Sequence, residues 1–291
     1  MAFFTDEEGA RFQPDMLGSL VYVGGMALED ALDVRAADDD ARLGDELRRI
    51  GYAGPTPCPA ATAPHAYVEL HIEQGPVLED EGVTIGAVTG VQGISWTELT
   101  IVGQSAHAGT TPMRLRHDAG YAAAVITARV RDIAKEMGGT QVATVGRCEL
   151  HPNLVNVIAA TATMTVDLRN TDESLLRKAE ASFLEVCDRL AIEEGVVIER
   201  RSLARFEPVE FDETMIKLVQ RTTQRLGHST KLMPSGAGHD AQMLARVCPT
   251  SMIFVQSVNG LSHNIAEYTK PADVTAGANV LLQVVLAKAC D

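Results

Sequence analysis

The chain of 291 residues is 46% hydrophobic and 22% charged, a composition typical of a globular protein with one large domain or two. Its formal net charge of −14 repels phosphate backbones and anionic lipid surfaces, so neither nucleic acid nor a membrane is expected as a partner. The five cysteines are scattered without a CxxC pair, and the first residues hold no apolar stretch long enough for a signal peptide. These features predict a reduced, cytoplasmic protein.

The first part of the chain is predicted to open an α/β domain. In order, the predicted elements are the end of a strand at 3–5, helix across 16–50, a surface loop rich in Pro, Gly, Ala and Thr at 51–66, and strands at 66–72 and 84–91. The polar run that begins at His71 closes the strand at 66–72. Ligands bind at the carboxyl ends of strands in open α/β sheets, so this strand end is a candidate site.

A different pattern runs from 94 to 206. Its predicted elements are strand 96–103, helix 117–137, strands 140–148 and 160–169, helix 172–194 and strand 196–203. The order βαββαβ is typical of a ferredoxin-like α+β unit with both helices on one side of an antiparallel sheet. We interpret 94–206 as a domain inserted into another.

The α/β pattern resumes after the insertion. The predicted elements are helix 212–226, a glycine-rich turn at 235–238, helix 239–246, strand 250–255 and helix 271–288. The first domain is therefore expected to be assembled from 1–93 and 207–291.

The acidic pair Glu7-Glu8 and two histidines at strand ends are candidates for chemistry. Adjacent carboxylates point to opposite faces of a regular strand, so one site can use both only in an irregular turn, which Gly9 permits. One carboxylate could then bind a metal ion while the other handles protons; the alternative is an exposed acidic turn. His71 and His263 each follow an apolar strand and suit metal ligands, although solvated loop histidines are the alternative.

Three further features are typical of substrate contacts. His107 lies among small residues, which would let a ligand approach its ring; the alternative is that this segment is only a turn before the next helix. Arg169 ends an alternating strand and can bind a carboxylate, or form a salt bridge with Asp167 or Asp172. The glycines of SGAGHD at 235–240 offer backbone N–H groups to an anion, but the lysine of a phosphate loop is missing.

Together these segments resemble the hydantoinase/carbamoylase branch of the M20 metallopeptidase-like family, which includes N-carbamoyl-L-amino-acid hydrolases, β-ureidopropionases and allantoate amidohydrolases. The matching segments are FTDEEGARF at 4–12, HIEQGPVLE at 71–79, TGVQG at 89–93, SAHAGTTPM at 105–113, PNLVNVI at 152–158, DLR at 167–169, SGAGHDA at 235–241 and SHNIAE at 262–267. The resemblance implies an α/β metal-binding domain with an inserted ferredoxin-like domain at 94–206 that serves as lid and as homodimer interface.

The resemblance also implies roles for individual residues. Glu7 would be the general base, and His107 would polarise the carbamoyl oxygen, in the site of a second subunit. The implied metal ligands are Glu8, His71 and His263, and the implied substrate contacts are Gln74, Asn156, Arg169, Gly236 and His239. Two divalent ions per subunit (Zn, Mn, Co or Ni) and a small anionic N-carbamoyl or ureido substrate are expected.

One departure from the family pattern stands out. The family carries an HxD motif and a bridging Asp before the acidic pair, and none of the eight histidines here is followed two positions later by Asp. The expectation is therefore either a fragment or misassigned start of a longer amidohydrolase, or a remnant that acts as a dimerising or binding protein. Allantoate and 3-ureidopropionate remain alternative substrates to N-carbamoyl-L-amino acids.

Overall fold

The computed structural model describes residues 1–59 and 62–290, which form two compact units. The first unit comprises residues 1–91 and 209–291, and the second comprises 92–208. The helices are α1 (Leu17–Tyr22), α2 (Leu28–Asp33), α3 (Leu43–Arg49), α4 (Val77–Asp80), α5 (Ala119–Met137), α6 (Glu173–Glu193), α7 (Glu213–Arg225), α8 (Asp240–Leu244) and α9 (Pro271–Ala289). The strands are β1 (Tyr67–Ile72), β2 (Ile85–Val91), β3 (Gly93–Val102), β4 (Ala106–His107), β5 (Val142–His151), β6 (Val157–Ile158), β7 (Thr161–Asn170), β8 (Val197–Phe206), β9 (Val209–Glu210), β10 (Thr230–Ser235) and β11 (Thr250–Val255).

A mixed sheet forms the centre of the first unit, with strand order β1-β11-β2-β10 and with β9 paired to β2. Alternate residues of β11 enter two different cores: Met252 and Phe254 join one cluster, while Ile253 and Val255 join the other. Both faces of the sheet are therefore covered, which explains why β11 reads as a continuous apolar run rather than an alternating one.

Two predictions for the N-terminal part of the first unit, a strand at 3–5 and one helix across 16–50, were wrong. Residues 3–5 form no strand, because the Thr5 carbonyl accepts the N–H of Gly18 and the Glu7 carbonyl accepts that of Met16, so this backbone bonds to the start of α1. The helix expected across 16–50 is three short helices, α1 to α3, around a small cluster of their own. Within 51–66 the described residues have no helix or strand; residues 60 and 61 lie outside the described part.

Strand β10 was missed because Pro234 argues against a strand. The structure accommodates the proline by placing β10 at the edge of the sheet, with a register shift between Met233 and Ser235. Proline lacks the N–H that a central strand needs, so an edge position with an irregularity is where a sheet tolerates it.

The second unit is an antiparallel sheet in the order β5-β7-β3-β8 with the connection βαββαβ, which is the ferredoxin-like arrangement. Residues of β7 alternate between buried and half-buried over its whole length, and the buried ones pack under α5 and α6. Asp172 caps α6 by accepting the N–H of Leu175. An α/β unit with an inserted α+β unit confirms the predicted fold class.

The C-terminal helix α9 is apolar on two sides. Val280 and Val284 are buried against the sheet, whereas Leu282 and Leu286 are 52% and 49% exposed. In the described part of the chain it is the one helix long and apolar enough to cross a membrane by length and composition. About 22% of its apolar window is buried, and a single helix of this kind is weak evidence for a membrane span.

Candidate active site

The acidic pair lies in an irregular turn, as the sequence predicted. Asp6 and Gly9 flank the pair with φ of 58° and 59°, so both ends of the turn are left-handed. A side chain at Gly9 would also meet the Asp15 backbone at 2.8 Å, so only glycine fits there. The turn places Glu7 and Glu8 in different surroundings: Glu7 is half-buried and Glu8 is exposed.

Glu8, His71, Gln74 and His263 line one open cavity of about 420 Å³ in the first unit. Glu8 Oε2 lies 3.7 Å from His263 Nε2, and both side chains are well exposed to solvent. The structure therefore places the three expected metal ligands and one expected substrate contact along the lining of one cavity, although they are widely separated in the sequence.

His71 is oriented by its own backbone. Its Nδ1 lies 2.9 Å from the carbonyl oxygen of Ile72, and because a carbonyl can only accept, the neutral ring carries its proton on Nδ1. The lone pair of Nε2 is then the one available to a ligand. Metal-bound histidines commonly donate their second ring N–H in this way.

Gln74, at the end of the same strand, is held by its backbone and side chain. Its φ is 59°, its N–H donates to Ser257 Oγ at 3.0 Å, and its Nε2 donates to Ser262 Oγ at 3.1 Å. These bonds connect the end of β1 to the loop that carries His263, so the two histidine-bearing segments are fixed to each other.

A layer of buried acidic groups lies beside the acidic pair. Glu69 accepts the Tyr67 hydroxyl at 3.1 Å and the Ala241 N–H at 3.0 Å through Oε2, and Asp240 is almost fully buried. Burial, together with the charges of Glu8, Asp240 and Glu69, raises the pKa of Glu7 to about 7. Burial also raises the pKa of Glu69 to about 7, with the Tyr67 hydrogen bond opposing it.

His239 is buried beneath His71 rather than exposed to a substrate. Its ring centroid lies 4.6 Å from that of His71, and its Nε2 lies 2.8 Å from Ser235 Oγ. Burial, with the nearby His71, lowers the pKa of His239 to about 3, so the ring is neutral at pH 7. The 3.9 Å separation between its Nδ1 and Glu69 Oε1 is therefore not an ion pair under those conditions. Gly236, the other expected substrate contact in this loop, is exposed to solvent.

The expected metal ligands line one cavity, but they are not clustered as they would be around a bound ion. Among residues 1–59 and 62–290, no three His, Cys, Asp or Glu side chains lie close enough together to hold a metal ion. The donors fit in kind, since imidazole and carboxylate ligands suit Zn, Mn, Co and Ni. Glu8 and His263 are already close to each other, and His71 presents its ring to the same cavity. These three residues would hold the ion.

Two of the expected substrate contacts meet in the second unit. The β4–β6 pairing sets His107 opposite Val157, and the Ala108 N–H donates to the Asn156 carbonyl at 2.9 Å. His107 Nδ1 accepts the N–H groups of Gly109 and Thr110 at 3.0 and 3.2 Å. The neutral His107 ring therefore carries its proton on Nε2, which can donate to a substrate oxygen.

Arg169 forms the salt bridge that was the alternative interpretation of its position. Its Nη2 lies 2.8 Å from Asp167 Oδ2, and its Nε donates to Asp167 at 3.0 Å. Its role as a substrate contact stays a prediction.

Glu69, Tyr67 and Asp240 are site neighbours that the sequence analysis missed. Glu69 precedes His71 by two residues, and side chains at this spacing in a strand lie on the same face. A carboxylate at that spacing within an otherwise apolar strand could have been recognised. Asp240 comes directly after His239 in the SGAGHD motif. Its position in the motif does not indicate that its side chain is buried at the start of α8.

Comparison with known proteins shows the family of the chain. Residues 1–287 match the family described as Peptidase family M20/M25/M40. N-carbamoyl-L-amino-acid amidohydrolase of Rhizobium meliloti is 42% identical over 287 residues, which cover 97% of this chain and 68% of that protein. Allantoate amidohydrolase of Escherichia coli K12 is 37% identical over 282 residues, covering 95% of this chain and 67% of that protein.

Solved structures give the same result. The crystal structure of a hydantoinase/carbamoylase family amidase from Burkholderia multivorans matches with a TM-score of 0.96 and 43% identity, covering 99% of this chain and 70% of that one. Amidohydrolases of this family generally depend on divalent metal ions. The chain belongs to peptidase family M20/M25/M40 and, within it, to the amidohydrolases that act on C–N bonds other than peptide bonds.

Proposed function

We propose that this protein hydrolyses the carbamoyl C–N bond of N-carbamoyl-L-amino acids and releases the amino acid, ammonia and carbon dioxide. The observation that carries the proposal is the shared cavity of Glu8, His71 and His263 with Glu7 beside it. Three relatives named as N-carbamoyl-L-amino-acid amidohydrolases, 42%, 38% and 34% identical, support this substrate class, and allantoate is the alternative substrate because its amidohydrolase is 37% identical.

In this mechanism Glu7 acts as the base. A bound divalent ion supplies a Lewis acid that makes water easier to deprotonate. Glu7 accepts a proton from the attacking water and returns it to the nitrogen that leaves. Its half-buried position and its separation from the exposed Glu8 suit a group that handles protons rather than one that binds the ion.

The second unit supplies the substrate contacts of the proposal. His107 donates from Nε2 to the carbamoyl oxygen, on which negative charge develops in the transition state. Asn156, on the strand connection beside it, and Arg169 bind the rest of the anion, with Arg169 holding the carboxylate. In a homodimer formed through residues 94–206, His107 would serve the site of the second subunit.

A substrate panel tests the proposal. The purified protein, supplied in turn with Zn, Mn, Co and Ni, is given N-carbamoyl-L-amino acids, their D enantiomers, allantoate and 3-ureidopropionate, and ammonia release is measured. We expect turnover of the L-carbamoyl compounds, its loss with EDTA and its return when the metal is restored. Faster turnover of allantoate would change the substrate assignment. Metal binding without turnover of any compound would instead favour a binding protein.

A further inference from the structure

Three side chains form a compact group on the face of the second-unit sheet that lies opposite α5 and α6. Asp167 and Arg169 flank the buried Leu168 on β7, and Trp96 stands directly across from Asp167 on β3. Because side chains alternate along a strand, all three lie on the same face. Trp96 is the single tryptophan of the chain and is 39% exposed.

The contacts hold the Arg169 side chain from two directions. Asp167 accepts from Nε at 3.0 and 3.1 Å and from Nη2 at 2.8 Å, which fixes one edge of the guanidinium group. The Arg169 Cζ also lies 5.7 Å from the centre of the Trp96 ring, within the range of a cation–π contact. The side chains of Arg169 and Asp167 are only 22% and 28% exposed, so solvent weakens their pairing less than that of a surface ion pair.

An unrestrained arginine side chain loses considerable conformational freedom when it binds a carboxylate, and this loss weakens binding. A guanidinium that is already held before the ligand arrives avoids most of that loss. The alternative is that Asp167 acts only through its charge. Its carboxylate then repels an incoming anion, and its removal strengthens binding.

We propose that Asp167 and Trp96 are positioning residues that hold the Arg169 guanidinium ready for the carboxylate of the substrate. The inference rests on the proposed function, because it takes Arg169 as the carboxylate contact. It goes further in assigning the orientation of Arg169 to two residues that do not themselves bind the substrate.

The Asp167→Ala variant separates the two roles of Asp167 by the sign of its effect. Positioning predicts that N-carbamoyl-L-amino acid binding, measured by calorimetry, weakens about fivefold to tenfold although a negative charge has been removed. Unchanged or tighter binding overturns the proposal. Trp96→Phe keeps an aromatic ring with a weaker cation–π contact, so we expect a smaller loss of about twofold to threefold.

Glu98→Gln is the matched control. Glu98 lies on the same face of the sheet, where it pairs with Arg147 at 2.6 Å and with Arg201 at 2.8 Å. Its removal should leave ligand binding unchanged. Circular dichroism and thermal unfolding of each variant establish that it is folded, and Asp167→Ser, whose short side chain has neither the charge nor the pair of acceptor oxygens, replaces Asp167→Ala if the alanine variant does not fold.

The fluorescence of Trp96 gives a readout that does not require turnover. A carboxylate that binds Arg169 changes the charge beside the indole, so we expect N-carbamoyl-L-amino acids to shift the emission. The corresponding N-carbamoyl amino acid amides, which lack the carboxylate, should not shift it, and neither ligand should shift it in Arg169→Ala. A shift that persists in Arg169→Ala, or no shift with the carboxylate ligand, contradicts the inference. Absence of hydrolysis in the substrate panel contradicts the proposed function alone.

Discussion

Glu7 and Glu8 are adjacent in sequence, yet the turn between Asp6 and Gly9 gives them separate environments. Glu8 faces the cavity beside His263, while Glu7 lies among Glu69 and Asp240 and has a raised pKa. This division of surroundings is the residue-scale feature on which the proposed chemistry depends.

Glu7→Gln tests that division. A glutamine cannot accept a proton, so we expect turnover of N-carbamoyl-L-amino acids to fall by about 10² to 10⁴. The amide also removes a charge from a half-buried acidic cluster, so thermal stability should be unchanged or higher, and metal binding through Glu8 should persist. Glu29→Gln, at an exposed position on α2, is the control for a carboxylate-to-amide change outside the site. Near-normal turnover of Glu7→Gln would remove Glu7 from the base role.

That Glu8, His71 and His263 line one cavity was predictable at the residue scale, because each lies in a turn, in a loop or near the end of a strand within a recognisable motif. The burial of His239 was not. Its motif was read as a substrate loop, but the side chain turns inward to Ser235 and His71, and this choice depends on packing against β1 that the motif does not encode.

At the scale of elements, the starts of α6 and α7 were predictable. Asp172 and Asp212 each precede a helix, and each accepts a backbone N–H of the first turn, as side chains of this type do at N-caps. Strand β10 was unpredictable from local pattern because Pro234 argues against a strand, and only its place at the sheet edge makes it possible. The strand expected at 3–5 failed for the opposite reason, since its backbone bonds to α1 instead of a sheet.

Asp212→Ala should destabilise the first unit by about 1 kcal/mol at neutral pH, because it removes the N-cap of α7. In the folded protein, hydrogen bonds from the Thr214 hydroxyl and the Met215 N–H lower the pKa of Asp212. The stabilisation is therefore complete above the unfolded pKa and is lost as pH falls through the lower folded pKa. Urea midpoints followed by circular dichroism should differ at pH 7, and the difference should shrink as the pH falls through the lowered folded pKa of Asp212. Glu213→Ala, at the next and exposed position, should show a smaller difference, and an effect of Asp212→Ala that is independent of pH would contradict this account.

For the whole molecule, the fold class could be predicted because the period of apolar residues changes twice along the chain. The βαββαβ order between the two changes identified the ferredoxin-like unit, and long helices such as α5 and α6 carry strong periodic patterns. The two-sided apolar surface of α9 was less predictable. One side fills the core of the first unit, but a pattern that is apolar nearly all round does not indicate which side faces inward.

Val91 and Val209 are antiparallel partners in the β2–β9 ladder, so the chain leaves the first unit and returns to it at neighbouring points. Topologically the whole second unit occupies the place of a hairpin loop. Excision of 92–208 with an Asn-Gly turn in its place should therefore give a shortened protein whose remaining sheet is intact, since that dipeptide joins antiparallel partners without strain. A soluble product with a cooperative melting transition is the expected outcome. An insoluble or non-cooperative product would mean that the smaller protein needs its insertion in order to fold.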